Sequence, residues 1–222
     1  MKVVIVGGVA GGATTAARLR RQSEDAEIIM FERGSEVSYA NCGIPYYIGG
    51  VIKDRENLVV VSEEDFKKQF KVDVRTNSEA ISIDRANKKL RIKDLRNNNI
   101  YEETYDKLVL SPGGYPVRPP IPGINDPRIF TVRNLHDMDL IRSFINEKKP
   151  GKAIVVGGGF IGLELAENLH NLGMLVSVVE LAGQVMNLLD FEMASVIHQH
   201  LKSNNIELYL KDAVKEFSSV GG

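Results

Sequence analysis

The chain holds one cysteine, in the stretch Ser38-Tyr39-Ala40-Asn41-Cys42-Gly43-Ile44-Pro45-Tyr46-Tyr47. A free cysteine most often packs as a small hydrophobe. A thiol among small, polar and aromatic residues is also placed for sulfur chemistry, because a thiolate attacks disulfides. A second kind of chemistry is written in glycine. Gly157-Gly158-Gly159-Phe160-Ile161-Gly162 fits G-x-G-x-x-G through Gly157, Gly159 and Gly162. Gly7-Gly8-Val9-Ala10-Gly11-Gly12 is a looser version, with Gly7 and Gly12 at the ends and Val9 in the middle position. Such a turn brings backbone close to a pyrophosphate, which then meets the free N–H groups of a helix start. Each turn is followed by a strand that ends in an acid, Glu32 and Glu180, near the ~20-residue spacing of a ribose contact. A carboxylate there bonds ribose hydroxyls and repels a 2′-phosphate, so Glu180 favours NADH over NADPH. The four histidines form no metal pattern. His198 and His200 are two apart on a predicted helix and face different ways.

The elements that must position these groups repeat. Val3 to Val6 reads as a buried strand, Ala13 to Arg21 as a helix, and Ile28 to Phe31 as a second strand: a β-α-β unit. Ser62-Glu63-Glu64-Asp65 reads as a capped helix start. Residues 80 to 110 alternate apolar and polar, which predicts an antiparallel meander, with Leu108-Val109-Leu110 as a further buried strand. A Pro- and Gly-rich stretch, Ser111 to Gly123, then marks a connection. A helix is predicted over Asp137 to Asn146. Strand (Ala153 to Val156), glycine turn, helix (Leu163 to Leu172) and strand (Leu175 to Val179) follow. A helix over 191 to 203 and a strand from Ile206 to Leu210 complete the echo. The expected fold is α/β: two Rossmann-like units with parallel sheets and a meander in the first. The first unit is expected over 1–114, with Cys42 in it, the connection and helix over 115–149, and the second unit over 150–222.

Composition narrows the class. The 222 residues are 43% hydrophobic and 26% charged, with net charge −1. That is ordinary for a globular protein and gives no general affinity for nucleic acid or anionic membranes. No stretch is long and apolar enough to span a bilayer. The apolar N-terminus is broken by glycines and runs into an Arg-rich helix, unlike a signal peptide. One cysteine closes no internal disulfide, which fits a reducing cytoplasm. Two dinucleotides on one chain suggest an electron relay, a bound flavin and a passing nicotinamide.

The glycine turns, Phe31-Glu32-Arg33-Gly34, the cysteine stretch and Leu110-Ser111-Pro112-Gly113 together resemble the coenzyme A-disulfide reductases. These belong to the single-cysteine branch of the flavoprotein disulfide reductases, with NADH oxidases, NADH peroxidases and persulfide or polysulfide reductases as relatives. Pro45 and Tyr46 set the chain apart from the oxidase and peroxidase relatives. The resemblance implies FAD and NADH or NADPH as cofactors, and Cys42 as the redox-active residue. It is expected to rest as a mixed disulfide with coenzyme A, the second sulfur coming from the substrate. Coenzyme A disulfide, coenzyme A persulfide and polysulfide are the implied substrates. By the same resemblance Gly7, Gly8, Val9, Ala10, Gly12, Glu32, Arg33, Asn41, Ser111 and Gly113 line the FAD. Gly157, Gly159, Phe160, Ile161, Gly162, Glu164 and Glu180 serve the nicotinamide side, with Phe160 as a lid. Ser38 and Asn41 position the substrate's thiol arm. Thr14, Arg18 and Arg21, on one face of the first helix, meet its phosphates. A basic last helical turn is equally a solvated end that balances the dipole. A lysine common just before Lys71 in the family is Phe70 here. The family's fold implies a further FAD-binding segment and a C-terminal dimerisation domain, both absent from this chain, and a cytoplasmic homodimer for the intact protein. Two other readings stay open: an NADH oxidase or peroxidase cycling through a Cys42 sulfenic acid, and a nucleotide-binding module without activity.

Overall fold

A computed structural model describes residues 1–218. It divides into two compact units: Met1–Ala40 with Glu56–Gly114, and Asn41–Arg55 with the described part of Tyr115–Gly222. The predicted end of the second unit, at residue 222, lies outside the described residues.

In the first unit, β-branched Val3, Val4 and Ile5 build β1 (Lys2–Val6) at the centre of a parallel sheet. β2 (Glu27–Phe31) and β7 (Lys107–Leu110) flank it, and β3 (Val72–Arg75) lies beyond β2. The crossover from β1 to β2 is α1 (Ala10–Gln22). α3 (Glu63–Phe70) leads into β3, and its predicted cap is present: Ser62 Oγ accepts from the Asp65 N–H at 3.1 Å. On one face of the sheet Ile5, Ile28 and Met30 pack against Ala13, Ala16 and Phe66. On the other, Val4, Ile29 and Phe31 pack against Leu90 and Ile92. Those two belong to an antiparallel meander of β4 (Ser78–Asp84), β5 (Lys89–Asp94) and β6 (Ile100–Thr104). The meander ends before β7, which joins the parallel sheet. β7 is also less buried than predicted: it is the sheet's edge with one neighbour, and Leu110 is exposed.

Arg20 has a structural duty. Its guanidinium donates to the carbonyls of Phe70, Ser23, Ala26 and Lys71 at 2.7 to 3.1 Å, and to that of Glu24. One fork thus ties the end of α1 to the end of α3, a use of five N–H donors that Lys cannot copy.

The second unit repeats the parallel pattern with β8 (Lys152–Val156), α5 (Phe160–Asn171), β9 (Leu175–Glu180), α6 (Phe191–Ser203) and β10 (Glu207–Leu210), in sheet order β10-β9-β8. Val155, Val176 and Val178 meet Ala166 and Leu201 in its core. Ile154 and Val156, on the edge strand β8, stay 70% and 58% exposed. α4 (Leu135–Lys148) is longer than predicted, because Asn134 caps it by accepting from the Asp137 N–H. The cysteine segment is a correction to sequence order. It folds into a 3₁₀ turn, Asn41–Gly43, and a short α2 (Ile44–Ile48), and it packs in the second unit against α4 and α5. Buried Ile44 and Ile48 drive that choice.

Candidate functional site

The two glycine turns are built alike, atom for atom at several points. Gly7 and Gly157 have φ of +96° and +104°, a region that suits glycine. Each donates its N–H to the end of the neighbouring strand, at Phe31 O and Val179 O, both at 2.8 Å. Space is equally tight at the helix start. A Cβ on Gly12 would lie 1.7 Å from Gly7 O, and one on Gly162 would lie 1.9 Å from Gly157 O. Val9, in the middle position of the first turn, is the N-cap residue of α1, and neither α1 nor α5 has an acid in its first turn or a side-chain cap. The first N–H groups of both helices are therefore left without an intrahelical or capping partner, the arrangement that suits an anion.

The two acids close the pattern. Glu32 accepts from the Gly8 and Gly34 N–H groups, each at 2.7 Å. Glu180 accepts from Gly158 at 2.7 Å and Ala182 at 2.8 Å. Each carboxylate thus fixes its own turn and retains lone pairs for a ribose hydroxyl. Six residues beyond each acid stands a left-handed residue, Ser38 (φ +48°) and Met186 (φ +51°). Their N–H groups donate to Gly8 O and Gly158 O at 2.9 and 2.8 Å. Val37 and Val185 pack on the same two glycines. These partners were not read from the sequence; the repeated Glu-x₄-Val spacing was the available signal. In the second unit His198 supports the loop, its Nε2 accepting from the Val185 N–H at 3.2 Å. Burial, and then the charge of Lys202, holds this imidazole below its ordinary pKa, which keeps the accepting nitrogen free of a proton.

Cys42 is free and exposed on its 3₁₀ turn, while Gly43, Ile44 and Pro45 behind it are buried. Asn41 is exposed beside it. The segment is pinned at its far end. Arg142 donates to Ile48 O at 2.7 Å, and Arg55 forks onto Asp139 at 3.0 to 3.1 Å.

In the first unit a cleft of about 340 Å³ lies along α1. Thr14, Arg21 and Ser38 line it, three of the residues predicted for substrate. Arg18 is exposed on α1 and is not among the lining residues. Phe66 and Phe70 form an aromatic wall, their rings 5.5 Å apart. Lys71 instead ends α3 in the left-handed conformation. Ser111 O sits where a Cβ on Gly7 would go, so the strand-end residue packs on the first turn; Gly113, at φ +71°, follows in the exposed connection. Arg33 pairs with Glu79 at 3.4 Å. Phe160 and Ile161 open α5 and are exposed. Phe160 and Glu164 share a second hollow of about 280 Å³ between α5 and α6. Among the described residues no group of histidine, cysteine and acids is placed to hold a metal, and no helix is long and apolar enough to cross a membrane.

Two strand–glycine turn–helix–strand units, each closed by its own acid, define an α/β protein with a pair of dinucleotide-binding folds. The chain belongs to the pyridine nucleotide-disulphide oxidoreductase family, whose model matches residues 1–222. It is similar to the coenzyme A disulfide reductase of Staphylococcus haemolyticus (strain JCSC1435), at 37% identity over 213 residues, which cover 96% of this chain and 48% of that protein. Among solved structures it matches reduced Bacillus anthracis CoADR-RHD with a TM-score of 0.95 and 51% identity, over 97% of this chain and 39% of the other. It matches the NAD-dependent persulfide reductase of A. fulgidus with a TM-score of 0.94 and 38% identity, over 99% and 41%. The chain spans about half the length of the curated relatives it matches.

Proposed function

We propose that the intact protein is a flavin-dependent NAD(P)H:disulfide oxidoreductase that works through Cys42 on coenzyme A disulfide, coenzyme A persulfide or polysulfide. The observation that carries this reading is the exposed lone thiol, held on a rigid buried segment of a chain with two dinucleotide turns. The residues fit both nucleotides: turns that need glycine at Gly7, Gly12, Gly157 and Gly162, helix starts without a side-chain cap, and Glu32 and Glu180 beside them. FAD belongs to the first turn and NADH to the second. Bound there, flavin and nicotinamide supply the electron pair that reopens a disulfide.

The chain's own part is sulfur exchange. The Cys42 thiolate attacks one sulfur of the substrate disulfide. The S–S bond breaks, the other half leaves as a thiolate, and a mixed disulfide remains on Cys42. Two electrons and a proton then release the second half as a thiol and restore the Cys42 thiolate. Thr14, Arg21 and Ser38 suit a phosphate-bearing thiol arm in the cleft on α1, where Arg21 supplies the charge. The oxidase or peroxidase reading uses the same cysteine but needs no such cleft, which favours the disulfide substrate.

The test is a visible spectrum of the chain incubated with FAD, followed under argon by NADH and then coenzyme A disulfide. A flavin band that NADH bleaches and the disulfide restores is the expected result, and Cys42→Ser should remove only the restoration. Restoration in Cys42→Ser, or by oxygen alone and not by the disulfide, would overturn it.

A further inference from the structure

We infer that Asn168 and Gly49 form the joint that positions Cys42, a role that rests on the reading of Cys42 as the redox thiol. Asn168 lies in the middle of α5 and is 1% exposed. A buried amide inside a helix is a poor choice for packing alone. Its Nδ2 donates to Glu164 O, one turn earlier, at 2.8 Å, so the side chain has one orientation. The rest of the amide points at α2. A Cβ on Gly49 would lie 2.2 Å from Asn168 Oδ1, 2.7 Å from its Cβ and 2.8 Å from its Cγ. Gly49 itself has φ −73°, which any residue adopts. Glycine stands here for space and not for backbone freedom, unlike Gly7 and Gly157. The approach of α2 to α5 is therefore set by one pair of side-chain volumes, an amide and a hydrogen atom.

That approach reaches the thiol. α2 is a short helix with Pro45 in its first turn, and Cys42 stands on the turn just before it. Gly43, Ile44, Pro45 and Ile48 are buried, so the segment has no slack in which to absorb a shift. The hydrogen bond from Arg142 holds the end of α2, and the Arg55–Asp139 pair holds the chain seven residues further on, but both tolerate small displacements because they use long side chains. The Asn168–Gly49 contact is the stiff one. It also links Cys42 to the helix that begins with Phe160 and carries Glu164. A misplacement of about 1 Å at a reacting group can cost about a hundredfold in rate.

The size match supplies its own test. Gly49→Ala, Asn168→Ser, Asn168→Gly and the double variant Gly49→Ala/Asn168→Gly, in which the Asn168 Cβ that a methyl at position 49 would meet is also gone, are compared as the 222-residue chain. The readout is the rate at which Cys42, the sole cysteine, reacts with 5,5′-dithiobis(2-nitrobenzoic acid) across the pH range of thiol titration. Gly49→Ala should change the rate by about tenfold and move the pH midpoint, and the double variant should return both towards the parent. Asn168→Ser, which loosens the contact without adding bulk, should give the smaller change and reports even where Gly49→Ala fails to fold. Val176→Ala, in the sheet core, is the control: it should lower the unfolding temperature and leave the thiol profile alone. Profiles that stay at the parental values in the joint variants, or a double variant that restores nothing, would reduce the contact to packing. The thiol assay needs no flavin or NADH. Failure of the NADH-driven disulfide reaction in the intact protein would thus refute the redox reading and leave this measurement standing.

Discussion

Glu180 is asked to do two things, and they separate on substitution. Both of its oxygens accept from backbone, at Gly158 and Ala182, while its charge is what a 2′-phosphate would meet. Glu180→Gln keeps the size, but its amide offers one acceptor oxygen where the turn presents two N–H groups. One part-buried amide is left without a protein partner, at about 1 kcal/mol or more. The expected outcome is a lower unfolding temperature and weaker NADH binding by calorimetry, with the ratio of NADPH to NADH affinity rising because the repelling charge is gone. An unchanged ratio would mean the carboxylate organises the turn and does not select the nucleotide. Both acids were legible in the sequence as strand ends, from spacing alone. Their backbone partners were not, since Gly34 and Ala182 share no residue type and only their position two residues on is common.

The glycines of one turn predict opposite outcomes at the scale of the element. Gly162 is enclosed, because an added Cβ meets the Gly157 carbonyl, whereas Gly159 has nothing within 4 Å of an added Cβ. Gly162→Ala should push the start of α5 from β8, destabilise the chain by about 1 to 3 kcal/mol and abolish nucleotide binding at that turn. Gly159→Ala should leave the unfolding temperature in place and weaken only NADH binding, because the space it fills is the space a pyrophosphate needs. Thermal unfolding with and without NADH distinguishes them. The strand–turn–helix pieces were readable because their signals are local: β-branched runs, glycines, an N-cap at Ser62. α2 was not. Ile-Pro-Tyr-Tyr-Ile has no helical period, and what makes it a helix is α5, more than a hundred residues later. The cleft on α1 was half legible for the same reason. Thr14 and Arg21 share a helix face by spacing, but Phe66 and Phe70 reach the cleft only when α3 folds beside α1.

For the molecule as a whole, the two units should answer acid in different ranges. His198 is held below its ordinary value of 6.5, first by burial and then by Lys202. The unfolded chain takes up that proton first, so this contribution is complete above about pH 6.5 and is lost as pH falls through the folded value. In the first unit burial alone would raise the Glu103 carboxyl. The Lys2 ammonium, at 2.6 Å, and the Arg75 guanidinium, at 2.8 Å, outweigh it and hold the group below its ordinary 4.5. Its contribution is present above that value and fades only as pH falls beneath it. At about pH 5.5, between the two reference values, hydrogen-exchange protection factors, which take out the intrinsic pH dependence of exchange, should be lower than at neutrality around β9 and α6 and unchanged in β1, β2 and the meander. His198→Gln should flatten the change. An equal loss of protection in both units would refute the assignment. The order of elements was legible at this scale, and the grouping of residues 41–55 was not, because chain continuity says nothing about which core claims a short apolar segment. The strand β8 carries a last consequence. It is a sheet edge whose Ile154 and Val156 meet water, and such an edge is a template for another copy of itself. This chain is therefore expected to self-associate as its concentration rises, which light scattering over a dilution series checks.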